Sequence, residues 1–353
     1  MRFGRQNPRR GVPLFIFGVA ALLVLVVLAS APASSAQQDS EKRVSATEEA
    51  ARKKALEQDR PGPDAEPLGS EACEMCHEEV VKVFNASRHT IHLRKVLKEA
   101  NQACEYCHGP GSEHVDSGDG TKILRFPPRS SVTVKRAAEI CIKCHATTHD
   151  SPHWRTNVHA AADVGCVDCH RFHGSDDDPF MLQKPIVKVS NLAGFRYDAK
   201  HPTTSQAING ACLNCHAAQA AQARLRSHHP MLEDRVSCTD CHEVHRSTNP
   251  ALMPVNKSMS AVCTKCHTNI RGPFVYEHEP TRTGGLGESC LTCHQPHGSP
   301  NQKLLVTNGR GVCIQCHTDI NADEAHRGRP GSCWRSGCHS DIHGSNKSQL
   351  FFR

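Results

Sequence analysis

The sequence predicts a mainly α fold, with short helices joined by extensive loops and little or no β-sheet. Three observations predict it. Aromatic residues make up 5% of the 353 and mean hydropathy is −0.50, poor material for a conventional side-chain core. Glycine (24) and proline (21) are frequent, as in HGPG (108–111) and RFPPRS (125–130), and they break helices early. One pentapeptide, Cys-x-x-Cys-His, recurs nine times, so the chain is organised by motifs that short helices carry or flank.

That pentapeptide is the attachment signature of c-type haem. Two thiols at this spacing can each add to a vinyl group of one porphyrin, and the next residue offers its imidazole to the iron. Zinc sites also use Cys-x-x-Cys pairs, but normally two pairs or a pair with two spaced histidines. Neither zinc nor a disulfide framework requires histidine directly after the second cysteine in every copy. The nine pairs are Cys73/Cys76, Cys104/Cys107, Cys141/Cys144, Cys166/Cys169, Cys212/Cys215, Cys238/Cys241, Cys263/Cys266, Cys290/Cys293 and Cys313/Cys316. The tenth, Cys333/Cys338, is two residues wider and leaves none of the 20 cysteines over. The histidines that follow are His77, His108, His145, His170, His216, His242, His267, His294, His317 and His339.

From the N-terminus, residues 1–36 have the layout of a secretory signal peptide: Arg2, Arg5, Arg9 and Arg10, an apolar run, then small residues ending at Ala36. An uncleaved anchor is the alternative. Residues 37–70 are polar and charged, with a helix-compatible stretch at 45–58 and prolines at 61 and 63, and read as a tether. Residues 71–353 form one domain of five two-motif repeats, about 71–116, 139–175, 210–247, 261–299 and 311–345. Each repeat carries two motifs, a histidine between them and another three to six residues after the second. The middle histidines are His89, His159, His228, His278 and His326; the trailing ones are His114, His173, His245, His297 and His343. His92 competes with His89, and His229 with His228; His228 is preferred because HHP (228–230) lines up with HEP (278–280). The wide motif occupies the second slot of the fifth repeat and keeps both of its histidines, so it reads as a working tenth site.

Ten motif histidines and ten further ones supply two imidazoles per iron. Such an iron has no open position for a substrate and suits electron transfer, not catalysis. Removing residues 1–36 leaves 38 basic and 36 acidic side chains, a formal charge of +2. Ten ionised haems would bring this to about −8 oxidised and about −18 reduced, which excludes a nucleic-acid binder and favours basic redox partners.

The stretches GSEACEMCHEEV, CEYCHGPGSEH, VSCTDCHEVH, SCLTCHQPHGS and DIHGSN resemble the decahaem c-type cytochromes of the MtrA/DmsE/PioA group, over roughly residues 69–346. The resemblance implies an elongated haem wire carrying ten bis-histidine c-type haems. It also implies a periplasmic location associated with the outer membrane, inside a β-barrel porin. Inner-membrane or periplasmic cytochromes would exchange electrons at one end, and an extracellular multihaem cytochrome or reductase at the other. The Cys-x4-Cys-His site and the charged segment 37–70 depart from that pattern. A freely diffusing periplasmic carrier is the alternative, and a multihaem nitrite or hydroxylamine reductase is a third reading that would need an iron with an open face.

Overall fold

The structure is a computed structural model. It describes residues 60–96, 102–126, 131–148, 153–173, 180–254, 257–281, 290–320, 324, 326–327, 331–334 and 338–352. The expected signal peptide, the helix at 45–58, His149 and the side chain of His92 lie outside the described residues. The chain divides into Met1–Ala55 and Leu56–Arg353, and everything below concerns the second unit.

Short helices dominate. They are α1 (Ser70–Ala86), α2 (Arg88–Val96), α3 (Ala103–His108), α4 (Ser112–Ser117), α5 (Ser131–Thr148) and α6 (Val158–Ala161), followed by α7 (Cys166–Cys169), α8 (Val187–Ser190), α9 (Thr204–Leu213), α10 (Ala217–Gln222), α11 (Met259–Thr264) and α12 (Gly311–Ile314). Cys238–Asp240 and Cys290–Thr292 form single 3-10 turns. Many starts are written in the sequence. The Thr203 hydroxyl accepts from Gln206 N while Gln206 reaches back to Thr203 N, a reciprocal cap on α9. Ser258 caps α11 through Ala261 N, and Asn157 caps α6 through His159 N. Among the described residues there is no strand, only isolated antiparallel bridges, in line with the predicted fold class.

The apolar core is thin, as the composition predicts. One cluster gathers Val189, Phe195, Leu213, Ala220, Met231 and Leu232. A smaller one joins Ala138, Ile142 and Trp154. Buried polar anchors add to these. The fully buried Asn209 donates to the carbonyls of Met231 and Val236 and accepts from Cys238 N, tying the two motifs of the third repeat together. Residues 60–69, the end of the expected tether, lie along the first repeat. Arg60 N donates to Thr121 O, Gly62 N to Glu113, and Glu66 N to the Ser112 hydroxyl.

Candidate haem sites

Cys-x-x-Cys-His closes on itself wherever it occurs as one helical turn. The amide of the motif histidine donates to the carbonyl of the first cysteine, at 2.8 Å for His170, 3.0 Å for His242, His294 and His317, and 3.1 Å for His216 and His267. The wide motif keeps the same closure: His339 N donates to Cys333 O at 3.1 Å. The two added residues are therefore accommodated without parting the ends, and the cysteine–histidine relation of the other sites is retained.

Each motif histidine faces a second imidazole. The pairs are His77–His114 (6.3 Å between ring centres), His108–His173 (5.9 Å), His145–His89 (5.7 Å), His170–His245 (6.0 Å) and His216–His159 (6.1 Å). They continue with His242–His297 (6.0 Å), His267–His229 (6.1 Å), His294–His343 (6.2 Å), His317–His278 (6.3 Å) and His339–His326 (6.1 Å). A metal–imidazole bond is about 2 Å, so two rings on opposite faces of one metal have centres roughly 6 Å apart. All ten pairs fit an iron between them, beside two cysteines placed for thioether bonds. Among the described residues no three His, Cys, Asp or Glu side chains converge, as a tetrahedral zinc site would require. Burial pushes His108, His159, His173, His278, His297 and His343 below the ordinary imidazole value, which favours the neutral, ligating form.

The pairing interlocks the repeats. The second motif of each of the first four repeats takes the trailing histidine of the next repeat, as His170 takes His245. The first motif of each later repeat takes the middle histidine of the one before, as His216 takes His159. Only the outermost pairs, His77–His114 and His339–His326, stay within one repeat.

One expected residue is displaced: His229, not His228, faces His267. His228 instead lies with Nε2 3.0 Å from Glu233 and donates from Nδ1 to Leu225 O. Burial alone would lower His228, but the Leu225 carbonyl and Glu233 together hold it above its ordinary value. The physical reason is register. Ser227 bridges Ser299 and Tyr276 bridges Ser345, each by two backbone hydrogen bonds, and the paired histidine stands two residues later, at His229 and His278. Asn157 docks on Ser247 in the equivalent way, with Nδ2 on the carbonyls of Val244 and Ser247, and His159 again follows by two. Alignment on the proline after the histidine shifts this register by one. The pattern SRH, NVH, SHH, YEH, read two residues back, was the usable signal. Of the other spare histidines, His153 and His201 are exposed.

Second-motif histidines are held by the backbone. Nδ1 of His108, His170, His242, His294 and His339 lies 2.6, 2.9, 2.7, 2.8 and 2.5 Å from the carbonyls of Leu124, Phe180, Ala251, Lys303 and Leu350. With its proton on Nδ1, each ring turns Nε2 toward its pair. In four of the five the residue after that carbonyl has a left-handed backbone: Met181 (φ 51), Leu252 (φ 51), Leu304 (φ 58) and Phe351 (φ 57). The carbonyls of Met181, Leu252 and Leu304 each accept from the residue after the motif histidine, and that of Phe351 accepts from Asp341, two residues after His339. A bulky L-residue pays about 1–2 kcal/mol for this conformation, and its recurrence beside the ligand ties the strain to orienting the ring.

Cysteines of successive motifs are neighbours in chain order. Within each repeat the first cysteines lie close enough to shift each other's ionisation: Cys73–Cys104, Cys141–Cys166, Cys212–Cys238, Cys263–Cys290 and Cys313–Cys333. Between repeats the second cysteines approach closely enough to disfavour each other's ionisation: Cys107–Cys144, Cys169–Cys215, Cys241–Cys266 and Cys293–Cys316, in each case after burial as the larger cause. Cys76, expected to hold the first haem together with Cys73, departs from this alternation. It is exposed on α1. Cys144 and Cys215 each meet a cysteine of the repeat before, whereas residues 1–72 contain no cysteine. Its position one turn from Cys73 and next to His77 still matches the other motifs, and its exposure leaves the thiol open to a porphyrin vinyl group. At the start of the domain, buried Glu105 accepts from the amides of Leu68, Gly69 and Gly111, which fastens the entering chain to the second motif.

Comparison with known proteins finds similarity to multihaem cytochromes. A doubled CXXCH motif family matches residues 228–272 and 278–322. Each match runs from a middle histidine to the next first motif, the stretch that contains both members of His229–His267 or His278–His317. An NrfB-like cytochrome c-type family matches 104–190, and the cytochrome c554 and c-prime family matches 190–243. The chain is 29% identical over 299 residues to the multiheme cytochrome MtrA of Shewanella baltica (strain OS185), covering 79% of each chain.

Proposed function

We propose, from the premise that this chain is a multihaem c-type cytochrome that transfers electrons, that it passes them one at a time along ten covalent haems ordered as their motifs are in the sequence. The observation that carries this reading is the unbroken run of cysteine neighbours from Cys73 to Cys333, which puts every attachment point beside the next. Bound haem supplies the one-electron ferric/ferrous couple. The residues of the chain do the rest. The twenty cysteines, from Cys73 and Cys76 to Cys333 and Cys338, hold the porphyrins by thioether bonds. The ten facing pairs of imidazoles would give each iron two nitrogen ligands, which would leave no face for a substrate and argues against an enzyme. Interlocking histidines keep successive centres at fixed separations.

The secretory layout of residues 1–36 and the resemblance to the MtrA/DmsE/PioA group support a periplasmic chain associated with the outer membrane. Among the described residues no helix is long and apolar enough to cross a membrane. In this reading a β-barrel porin forms the boundary with lipid, because a charged, propionate-bearing surface cannot face hydrocarbon. Periplasmic or inner-membrane cytochromes would exchange electrons at one end, and an extracellular redox partner at the other.

Reconstitution tests the proposal. The mature protein alone should leave liposomes sealed to electrons; with its cognate barrel it should let an external reductant reduce an encapsulated acceptor. Co-purification with a barrel but no electron passage would defeat the conduit, and the absence of any barrel partner would favour the diffusing carrier. Intact mass should fit ten haems; a mass fitting nine would remove the Cys333/Cys338 site.

A further inference from the structure

The ten facing pairs are not alike. Seven have nearly parallel rings, with interplanar angles between 10° and 26°. Three are crossed: His89–His145 at 73°, His159–His216 at 73° and His229–His267 at 61°. The crossed pairs sit at the third, fifth and seventh motifs, each flanked in the cysteine order by a parallel pair. We propose that the chain divides its irons into two electronic classes, and that the three crossed centres are the more easily reduced.

The inference rests on the bis-histidine reading above and follows from orbital symmetry. An imidazole donates π density into the iron d orbital perpendicular to its own plane. Two parallel rings donate into the same orbital and raise it above its partner; two crossed rings share the donation and leave the two nearly degenerate. Low-spin ferric iron has one vacancy in this set, and a raised orbital to hold it stabilises the ferric state. Ferrous iron fills the set and gains nothing. Crossed rings therefore stabilise ferric iron less, and adding one electron, with no proton, is easier.

Hydrogen bonding to the ligand rings acts in addition to the angle between them. The parallel pairs at the second, fourth, sixth, eighth and tenth motifs have their motif imidazole donating to a backbone carbonyl. That bond makes the ring a stronger donor and favours ferric iron. At the seventh motif His229 Nδ1 lies 2.6 Å from Pro296 O, and the crossing angle is the smallest of the three. This centre should lie between the two classes.

At the third motif an aromatic ring packs against one of the crossed ligands. The Phe172 ring meets His89 edge to face, 5.3 Å between centres and 83° between planes. Phe172, which also lies 6.4 Å from the His170 ring, is assigned as a positioning residue for His89, a ligand it does not replace.

Electron paramagnetic resonance of the oxidised holoprotein tests the inference. Near-degenerate orbitals give one strongly anisotropic line at large g, whereas split orbitals give a rhombic spectrum with three resolved features. Three of the ten low-spin centres should contribute to the large-g line. In a potentiometric titration that line should disappear before the rhombic signal as the potential is lowered. Phe172→Leu should shift the large-g contribution of one centre at unchanged haem content. A purely rhombic low-spin spectrum, or a large-g line that outlasts the rhombic one on reduction, would overturn the inference and leave bis-histidine ligation standing. High-spin ferric signals would instead sink the ligation reading. Should Phe172→Leu fail to load haem, the wild-type titration alone decides.

Discussion

His228 and His229 are adjacent, yet the structure gives them different work, and alanine at each should separate them cleanly. His229 faces His267 at 6.1 Å between ring centres, and it is one of ten such pairs. His229→Ala should therefore open one iron in ten. The ferrous protein, expected to bind almost no carbon monoxide, should gain a single binding site, and one tenth of the ferric low-spin signal should turn high-spin. His228→Ala removes only a half-exposed pair with Glu233 at 3.0 Å and a hydrogen bond to Leu225. It should cost about 1 kcal/mol or less and leave carbon monoxide binding unchanged. The cost should depend on pH with a definite sign. The His228 value is raised on folding, so its contribution is fully present below the ordinary imidazole value and is lost as pH rises through the raised one. Urea denaturation followed by circular dichroism should therefore find His228→Ala more costly at low pH than in mildly alkaline buffer. If His228→Ala opened an iron and His229→Ala did not, the register set by the Ser227–Ser299 bridge would be wrong.

Three further outcomes follow from the packing. Asn157 is fully buried, with Nδ2 on Val244 O and Ser247 O and Oδ1 on His159 N; Asn157→Ala strands these groups and should lower unfolding free energy by about 3 kcal/mol in urea titrations. Glu105→Gln keeps the shape but loses the charge that three amides point at, and should cost about 2 kcal/mol, with faster amide exchange at Leu68, Gly69 and Gly111. A Cβ at Gly298 would stand 1.9 Å from the backbone oxygen of Gln222, so Gly298→Ala must push the third and fourth repeats apart. It should cost about 1–3 kcal/mol and expose the Ser227 and Ser299 amides to exchange, whereas alanine at Gly309, which has nothing within 4 Å, should leave these amides protected.

How much of this was legible in the sequence varies by site. The wide motif was placed by its slot in the fifth repeat, and in the structure His339 N donates to Cys333 O and the His339 ring faces His326. Middle and trailing histidines were recoverable as a set, because each repeat carries them at similar offsets. The preference for His228 failed because the bridge of Ser227 to Ser299, and not the proline used for the alignment, sets the register of the facing histidine. The left-handed residues Met181, Leu252, Leu304 and Phe351 could not be foreseen, since their composition argues against that conformation.

The sequence by itself determined what is chemically local: which cysteines and histidines form each attachment motif, that helices would be short, and that side chains would build little core. Those features depend on residues within a turn or two of one another, and spacing encodes them completely. Only the tertiary structure decided which histidine serves which motif, the exchange of histidines between consecutive repeats, and the angle at which facing rings meet. These rest on docking between separate repeats, such as the Asn157 side chain on the Ser247 carbonyl and the backbone bridge of Ser227 to Ser299. Such docking is set by hydrogen bonds and close packing between segments far apart in the chain, and no local periodicity records it.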